Sequence, residues 1–190
     1  MTGLNNLQVL VVEDNQHMTT ILRIMLRAID IWQVVEARDA AEAFEFARDR
    51  MVDLALVDFA LGDLNALEFT KLIRTAQDSP NPYLPIILVT AHADRRVVMQ
   101  AVNTGVNAVL AKPVSARALF ERIQAIVDKP RNFIRAPNYF GPDRRRPQAP
   151  TLRGPWRRST QDAHEQIDNL SLQEHIKKIP ARRGGSGNSG

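Results

Sequence analysis

Residues 52–58 constrain the fold of this chain more than any other stretch. The interior of the stretch (Leu54, Ala55, Leu56 and Val57) is wholly apolar, and a carboxylate, Asp58, stands at its end. Because helical patterns precede and follow it, the stretch is predicted to be a strand covered on both faces, as in the centre of a parallel sheet. Ligands of such sheets bind beyond the carboxyl ends of the strands, so Asp58 is predicted to lie at the site.

Three more apolar segments are each followed by polar residues. The segments are residues 7–12, 84–89 and 106–110. Because the carboxyl ends of parallel strands meet at one edge of the sheet, the polar groups that follow them are expected to converge on Asp58. The residues expected beside Asp58 are Glu13, Asp14, Thr90 and Lys112.

Helical periodicity separates these strands, and residues 31–36 read as a fifth strand. Asp14 or Asn15, Asp39 and Ser115 are candidate helix caps. Five strand–helix alternations predict an α/β fold with a doubly wound, five-stranded parallel sheet. The predicted helices contain residues 21–29, 39–50, 67–76, 94–103 and 116–128.

The predicted edge of the sheet combines three carboxylates with one ammonium group. Three close carboxylates repel one another unless a cation lies among them, and Mg²⁺ favours such oxygen ligands. A carboxylate can also attack a phosphoryl donor and become an acyl phosphate, while the metal and the ammonium neutralise the transferred charge. The alternative is structural: Asp58 would cap the next segment and pair with Lys112 as a salt bridge.

These positions resemble the receiver domain of two-component response regulators, the CheY-like family, over residues 5–128. The resemblance implies a flavodoxin-like fold, a phosphorelay with a sensor histidine kinase as partner, and Asp58 as phosphoacceptor. It implies that Thr90 and Lys112 contact the phosphoryl group, and that a cis peptide bond joins Lys112 to Pro113. The implied Mg²⁺ site consists of Asp14, Asp58 and the carbonyl of Ala60, with Glu13 acting through water.

The sequence departs from the family at two places. The family transmits phosphorylation by moving an aromatic residue of the fifth strand, and Val109 stands at that position here. Asn65 and Ala66 replace an Asp-Gly pair that is common in the loop after the phosphoacceptor. The site chemistry is therefore expected to be intact, whereas its coupling to output is expected to differ, which favours a second input.

Charge divides the chain into two parts. Residues 1–128 carry 12 Lys and Arg against 16 Asp and Glu, whereas residues 129–190 carry 13 against 5. The chain has no cysteine, which excludes disulfides and thiolate metal sites. No transmembrane segment or signal peptide is predicted, so the protein is expected in the cytoplasm. A basic tail on an acidic domain indicates a polyanionic partner, or docking of the tail on the domain.

The tail is rich in arginine, proline and aromatic residues. Residues 131–158 contain eight arginines, no lysine and a single acid, Asp143. Guanidinium groups bind phosphate or the O6 and N7 acceptors of guanine in two-point fashion, and a carboxylate can accept from guanine's N–H groups. Tyr139, Phe140 and Trp156 are rings on which purines stack. A ligand with two guanines and two phosphates, cyclic di-GMP, matches all these features.

Residues 135–146 and 154–158 also resemble the arginine-rich extension of the Cle proteins, CheY-like cyclic di-GMP effectors of alphaproteobacteria. The resemblance implies that ligand binding promotes interaction with the flagellar motor switch, to which the protein would be recruited. We expect a chemotaxis-type adaptor and not an enzyme. The candidate ligand-binding residues are Tyr139, Phe140, Asp143, Arg144, Arg145, Arg146 and Trp156, with Arg135, Arg157 and Arg158 as second choices.

Other interpretations of the tail stay open. It would bind RNA or DNA without sequence preference, bind anionic lipid, or serve only as a charged linker. A plain phosphorylation-driven regulator, with a tail that only tunes partner or nucleic-acid binding, is the alternative function; no separate DNA-binding domain is predicted. The expected organisation is a receiver (1–129), an irregular basic arm (130–160), one or two short amphipathic helices (161–180) and a disordered terminus (181–190).

Overall fold

Five short strands alternate with five helices along the first two thirds of the chain. The structure is a computed structural model that describes residues 4–62 and 64–145, together with the backbone of residues 165–167. The strands are β1 (Gln8–Val12), β2 (Gln33–Ala37), β3 (Leu54–Asp58), β4 (Ile86–Thr90) and β5 (Ala108–Ala111). The helices are α1 (Gln16–Arg27), α2 (Ala40–Asp49), α3 (Ala66–Thr75), α4 (Arg95–Thr104) and α5 (Ala116–Asp128), after a 3-10 turn at Leu4–Asn6.

The five strands form one parallel sheet in the order β2-β1-β3-β4-β5. One face packs against α1 and α5 through residues such as Leu22 and Leu119. The other face packs against α2, α3 and α4, where Phe69 is fully buried. All five residues of β3 and of β4 are buried, because these strands lie in the middle of the sheet with helices on both sides. The predicted doubly wound fold is confirmed.

Polar side chains define where the helices begin. Asn15 accepts hydrogen bonds from the backbone N–H groups of the first turn of α1, and Asp39 and Ser115 cap α2 and α5 as predicted. Asn65 and Glu68 form a reciprocal capping box at α3. Gly105 ends α4 with φ +101°, a left-handed conformation that glycine adopts without steric cost.

The ends of the elements differ from the prediction by one or two residues. The second strand begins at Gln33 and not at Ile31. Ile31 is fully buried, but its N–H donates to the carbonyl of Leu26 in the turn that closes α1, so it is not available to the sheet ladder. The apolar character of Ile31 therefore placed the start of the strand too early, because a buried apolar residue can lie in a turn as well as in a strand.

The first part of the arm is a β-hairpin, and the prediction of an irregular arm is wrong for these residues. β6 (Phe133–Ala136) pairs antiparallel with β7 (Tyr139–Pro142) across a two-residue turn. The prolines do not prevent this pairing, because Pro137 lies in the turn and Pro142 is the last residue of its strand. Burial of apolar side chains from both strands against the α/β domain stabilises the hairpin.

A third strand, β8 (Glu165–Ile167), pairs antiparallel with the other edge of β6. Residues 161–180 were expected to form short helices, and the structure differs at these three residues. Pairing supplies partners for the backbone groups of β6, which an isolated short helix does not do. The remainder of that expectation and the predicted disordered terminus lie outside the described residues.

The helices of the described part are short. The longest, α5, has 13 residues. A helix needs about 20 apolar residues to cross the hydrocarbon core of a bilayer. Within residues 4–62 and 64–145, no helix combines the length and the apolar character required for a membrane span.

Candidate functional site

Three carboxylates meet at the carboxyl edge of the sheet. Asp58 is the last residue of β3, and Glu13 and Asp14 follow β1 directly. One carboxylate oxygen of each lies within 4.8 Å of the others. Glu13 and Asp58 are buried, whereas Asp14 is exposed. The structure therefore brings together the three acids that the sequence placed at one edge.

Lys112 binds two of these acids. Its ammonium group donates to Asp58 Oδ1 at 2.8 Å and to Glu13 Oε2 at 3.1 Å. Lys112 follows β5, and the predicted cis peptide bond to Pro113 is present. The alternative interpretation was that Asp58 caps the next segment and pairs with Lys112 as a salt bridge. The salt bridge between Lys112 and Asp58 is present. It does not account for Glu13 and Asp14, which crowd the same edge.

The charges of these groups alter the pKa values of Glu13 and Lys112. Burial and the neighbouring charge of Asp58 raise the pKa of Glu13, against the lowering effect of Lys112. Burial acts to lower the pKa of Lys112, but its bonds to Asp58 and Glu13 outweigh that effect and raise the pKa. A divalent cation would relieve the repulsion between the carboxylates, and the oxygen ligands fit Mg²⁺. Glu13, Asp14 and Asp58 are the residues that would hold it.

Thr90 and Ala60 complete the predicted constellation. Thr90 ends β4 beside Asp58 and is 1% exposed. Its hydroxyl accepts the backbone N–H of His92 at 3.1 Å, so it faces the loop that leads into α4. Ala60 lies in the exposed loop after Asp58. The roles of Thr90 in phosphoryl binding and of the Ala60 carbonyl in metal binding stay predictions.

The position of the usual aromatic switch carries Val109. It lies in β5 opposite Leu88 and is half-buried against the core of the α2, α3 and α4 face. A valine has no ring to rotate between two positions. The prediction that output is coupled differently here stays a prediction.

The hairpin lies at the opposite edge of the sheet. Phe133 and Phe140 form a ring cluster with Tyr83 of the loop before β4, with centroid separations of 5.2–5.7 Å. At Gly141, a Cβ would approach the Cα of Gly105 to 2.8 Å. The hairpin thus packs in close backbone contact with the end of α4, and both glycines make this possible.

Arg74 is the anchor of this contact, and the sequence analysis missed it. It lies on α3, is 3% exposed, and donates to the carbonyls of Gly105 and Pro82 and to Asn107 Oδ1. Its guanidinium also lies 5.2 Å from the ring centroid of Phe133. Burial lowers its pKa to about 9. The sequence did contain a sign that Arg74 is buried. Arg74 is spaced so that it falls on the same helix face as the buried Ala66, Phe69, Thr70 and Ile73.

The arm residues that were predicted to bind ligand are arranged around this hairpin. Arg135 lies over the ring of Phe140 at 4.4 Å, and Arg144 lies over the ring of Tyr139 at 4.2 Å. Phe140 is 6% exposed, so a purine would meet the guanidinium of Arg135 and not the face of the ring. This differs from the prediction that the ring of Phe140 is itself a stacking surface.

Asp143 and Arg145 are engaged with one another. Asp143 Oδ1 accepts from the backbone N–H of Arg145 at 3.0 Å and from its Nε at 3.3 Å. Burial raises the pKa of Tyr139, whose hydroxyl donates to the carbonyl of Pro142 at 2.7 Å. The remaining predicted ligand residues, Arg146, Trp156, Arg157 and Arg158, lie outside the described residues.

Relatives of known identity match the α/β part of the chain. The chemotaxis protein CheY of Pseudomonas aeruginosa is 27% identical over 123 residues, which are 65% of this chain and 98% of that protein. The transcriptional regulatory protein ZraR of Escherichia coli O157:H7 is 30% identical over 125 residues, which are 66% of this chain and 26% of that protein.

Solved structures give the same result. The receiver domain of the sensor histidine kinase PA1611 from Pseudomonas aeruginosa, solved with a magnesium ion in its active-site cleft, is 30% identical. It has a TM-score of 0.58 and covers 65% of this chain and 98% of its own. Vibrio cholerae CheY4 shares the fold at 22% identity, with a TM-score of 0.58, over 63% of this chain and 98% of its own.

The family model that describes the response regulator receiver domain matches residues 9–124. That range contains the acidic cluster, Thr90 and Lys112, and ends before the hairpin. Receiver domains bind Mg²⁺ at an acidic site of the kind that Glu13, Asp14 and Asp58 form here. The chain therefore belongs to the response regulator receiver domain family and carries at its C-terminal side an arginine-rich extension that begins with a docked hairpin.

Proposed function

We propose that this protein is a CheY-like signalling adaptor that binds cyclic di-GMP through its C-terminal arginines and then engages a partner such as the flagellar motor switch. The observation that carries the proposal is the pair of guanidinium groups that lie over aromatic rings, Arg135 over Phe140 at 4.4 Å and Arg144 over Tyr139 at 4.2 Å. A guanidinium held in this way stacks a base on its outer face and directs its N–H edge at phosphate or guanine.

The hairpin reduces the ordering cost of such a site. The rings and Arg74 fix residues 133–142 on the receiver, so these residues are folded before ligand arrives. Only the arginines that follow the hairpin would then lose conformational entropy on binding. Preorganised groups bind more tightly than groups that must first be ordered, which favours a ligand site built on the hairpin.

Phosphorylation of Asp58 is the second candidate input, and the geometry of Lys112 favours it. The carboxylate would attack a phosphoryl donor, forming a bond from its oxygen to phosphorus while the donor's leaving group departs. Lys112, 2.8 Å from Asp58, is placed to neutralise the transferred group. Mg²⁺ bound to the acidic cluster supplies further charge neutralisation. We propose no enzymatic activity on a separate substrate.

Calorimetric titration of cyclic di-GMP into the full chain tests the first input. A variant with Arg144→Ala and Arg145→Ala should bind at least about tenfold more weakly, because charge-assisted contacts are lost. A variant with Arg117→Ala and Arg122→Ala is the matched control, since both are exposed arginines on α5. Truncation at residue 129 is a poor control, because it would uncover the buried surface beneath Phe133 and Phe140.

The competing functions give different results in the same titration. Equal weak binding of GTP, cyclic di-AMP and cyclic di-GMP would contradict the proposal. Tight binding of RNA or DNA that cyclic di-GMP does not displace, and that falls steeply with salt, would support a nucleic-acid arm instead. No binding at all, together with normal phosphorylation of Asp58 by a small phosphodonor, would leave the chain a phosphorylation-driven regulator.

A further inference from the structure

A groove of about 620 Å³ lies where the hairpin meets the receiver. We call it the receiver–hairpin groove. One wall comes from the ends of α3 and α4, and the other comes from β6, the turn and β7. Its volume falls within the roughly 300–1,000 Å³ that is typical of small-molecule sites. The polar residues that line it include Lys71, Thr75, Asn103, Thr104, Arg135 and Asn138.

The groove is positively charged. Lys71, Arg74 and Arg135 line it, and among the described lining residues there is no aspartate or glutamate. Arg74 binds only neutral acceptors through the hydrogen bonds described above, so its charge is not cancelled by a carboxylate there. A buried charge acts through a low dielectric and attracts an anion more strongly than an exposed one.

The polar groups of the groove also match the edge of a base. The hydroxyls of Thr75 and Thr104 donate to the carbonyls one turn earlier, at 2.8 Å and 2.9 Å, so each oxygen keeps its lone pairs to accept a hydrogen bond. Guanine presents N1–H and N2–H donors. Arg135, fixed over Phe140, offers a planar surface at the same groove for the face of the base.

We infer that the receiver itself supplies part of the cyclic di-GMP site: one guanine nucleotide of the ligand occupies the receiver–hairpin groove. Its phosphate lies against Lys71 and its base lies against Arg135. This inference rests on the proposed function and adds a receiver residue, Lys71, that no arginine-rich motif contains. The ligand thereby bridges α3 and the arm, so binding clamps the hairpin to the receiver.

The test is a charge reversal with a matched control. Lys71→Glu in the full chain should weaken cyclic di-GMP binding by at least about tenfold, because a charge-assisted phosphate contact is replaced by repulsion. Lys129→Glu makes the same change in net charge outside the groove, at the end of α5, and should leave the affinity within about twofold by the usual weakness of screened surface charges. Arg135→Lys keeps the charge but removes the planar group, and should also weaken binding.

Backbone amide chemical shifts give a second readout, which locates the ligand on the protein. Cyclic di-GMP should shift the amides of Lys71, Thr75, Asn103 and Thr104, and these shifts should disappear in the Lys71→Glu protein. Unfolding temperatures of the variants check that the fold is intact.

The two proposals fail differently. If the unmodified chain binds cyclic di-GMP but Lys71→Glu binds as well as Lys129→Glu, the groove is not the site, while the arginine arm remains the binding element. Shifts confined to residues beyond 142 would overturn the inference in the same way. If the unmodified chain does not bind at all, the proposed function fails and the inference fails with it.

Discussion

The acidic cluster and the Arg74 contact lie at opposite ends of the central sheet and are built in opposite ways. At the carboxyl edge, Glu13, Asp14 and Asp58 lie at or just after the strand ends. Lys112 forms ion pairs with Glu13 and Asp58. At the amino edge, Arg74 comes from a helix and is held by neutral acceptors beneath the hairpin. The first arrangement offers oxygen ligands to a divalent cation, whereas the second buries an arginine whose hydrogen-bond acceptors are neutral.

The two sites are close but not adjacent. Four residue steps along β4 separate Ile86, which shares Asn107 Oδ1 with Arg74, from Thr90 beside Asp58. At roughly 3.3 Å a step the separation is about 13 Å. α4 begins a few residues after the Thr90–His92 turn and ends at Gly105, which packs against the hairpin. The comparison teaches that one fold can hold an acidic cluster and a buried arginine at opposite ends of its sheet without the two sharing a residue.

The largest effect is expected from Asp58→Asn. The amide is not a nucleophile for the phosphoryl group, so phosphorylation by acetyl phosphate and Mg²⁺ should be lost completely, as measured by the mass of the intact protein. The affinity for cyclic di-GMP should not change, because Asp58 ends β3 at the carboxyl edge of the sheet, away from the hairpin. A large loss of ligand affinity in this variant would break the proposed independence of the two sites.

Arg74→Met should destabilise the protein by about 3 kcal/mol, because buried carbonyl acceptors lose their donor. The unfolding temperature should fall by roughly 10 °C. Arg95→Met, at an exposed arginine of α4, is the control and should have little effect. Equal stability of the two variants would show that the buried hydrogen bonds of Arg74 do not contribute to the stability of the fold.

Gly141→Ala should loosen the hairpin and spare the receiver. The added Cβ would lie 2.8 Å from the Cα of Gly105 and 2.9 Å from the hydroxyl of Tyr139, and such overpacking costs about 1–3 kcal/mol. Hydrogen exchange should accelerate in β6 and β7, while phosphorylation of Asp58 continues at its usual rate. Faster exchange throughout the parallel sheet would mean that the hairpin is not a separable layer.

The smallest effect concerns Tyr139. Burial holds the pKa of its phenol above the ordinary value of 10.0 in the folded protein, so the native state binds the proton more tightly than the unfolded state. This contribution to stability is present below pH 10 and is lost as the pH rises through the raised pKa. Absorbance titration in a Tyr83→Phe background should give a midpoint above 10, and denaturant should return it to 10. An unchanged midpoint would place Tyr139 in solvent.

The acidic edge was predictable in detail because its residues follow strands. A run of apolar residues that ends in a carboxylate fixes where that carboxylate lies, since parallel strands end at one edge. The caps Asp39 and Ser115 were predictable for a similar local reason. The basic edge was not, because its geometry depends on contacts between residues far apart in the chain.

Arg74 and Phe140 illustrate the limit. The sequence marks Phe140 as an aromatic residue within an arginine-rich stretch, and its burial against Tyr83 and Phe133 follows only from the docking of the hairpin. Arg74 stood on the inner face of a helix, and nothing in the neighbouring sequence identified its partners. Its partners, the carbonyls of Pro82 and Gly105, are ordinary backbone groups that no motif identifies.

The sequence by itself determined the parallel sheet, the acidic cluster with Lys112, and the division of charge. Hydrophobic periodicity, the residue that follows each strand, and composition can all be read from the chain without its tertiary contacts. Tertiary structure decided that the arm starts as a hairpin, that Arg135 and Arg144 lie over aromatic rings, and that Lys71 of the receiver lines the same groove as Arg135. The physical reason is that hairpin docking depends on side-chain burial and close backbone approach across the fold, and neither is encoded by neighbours in the sequence.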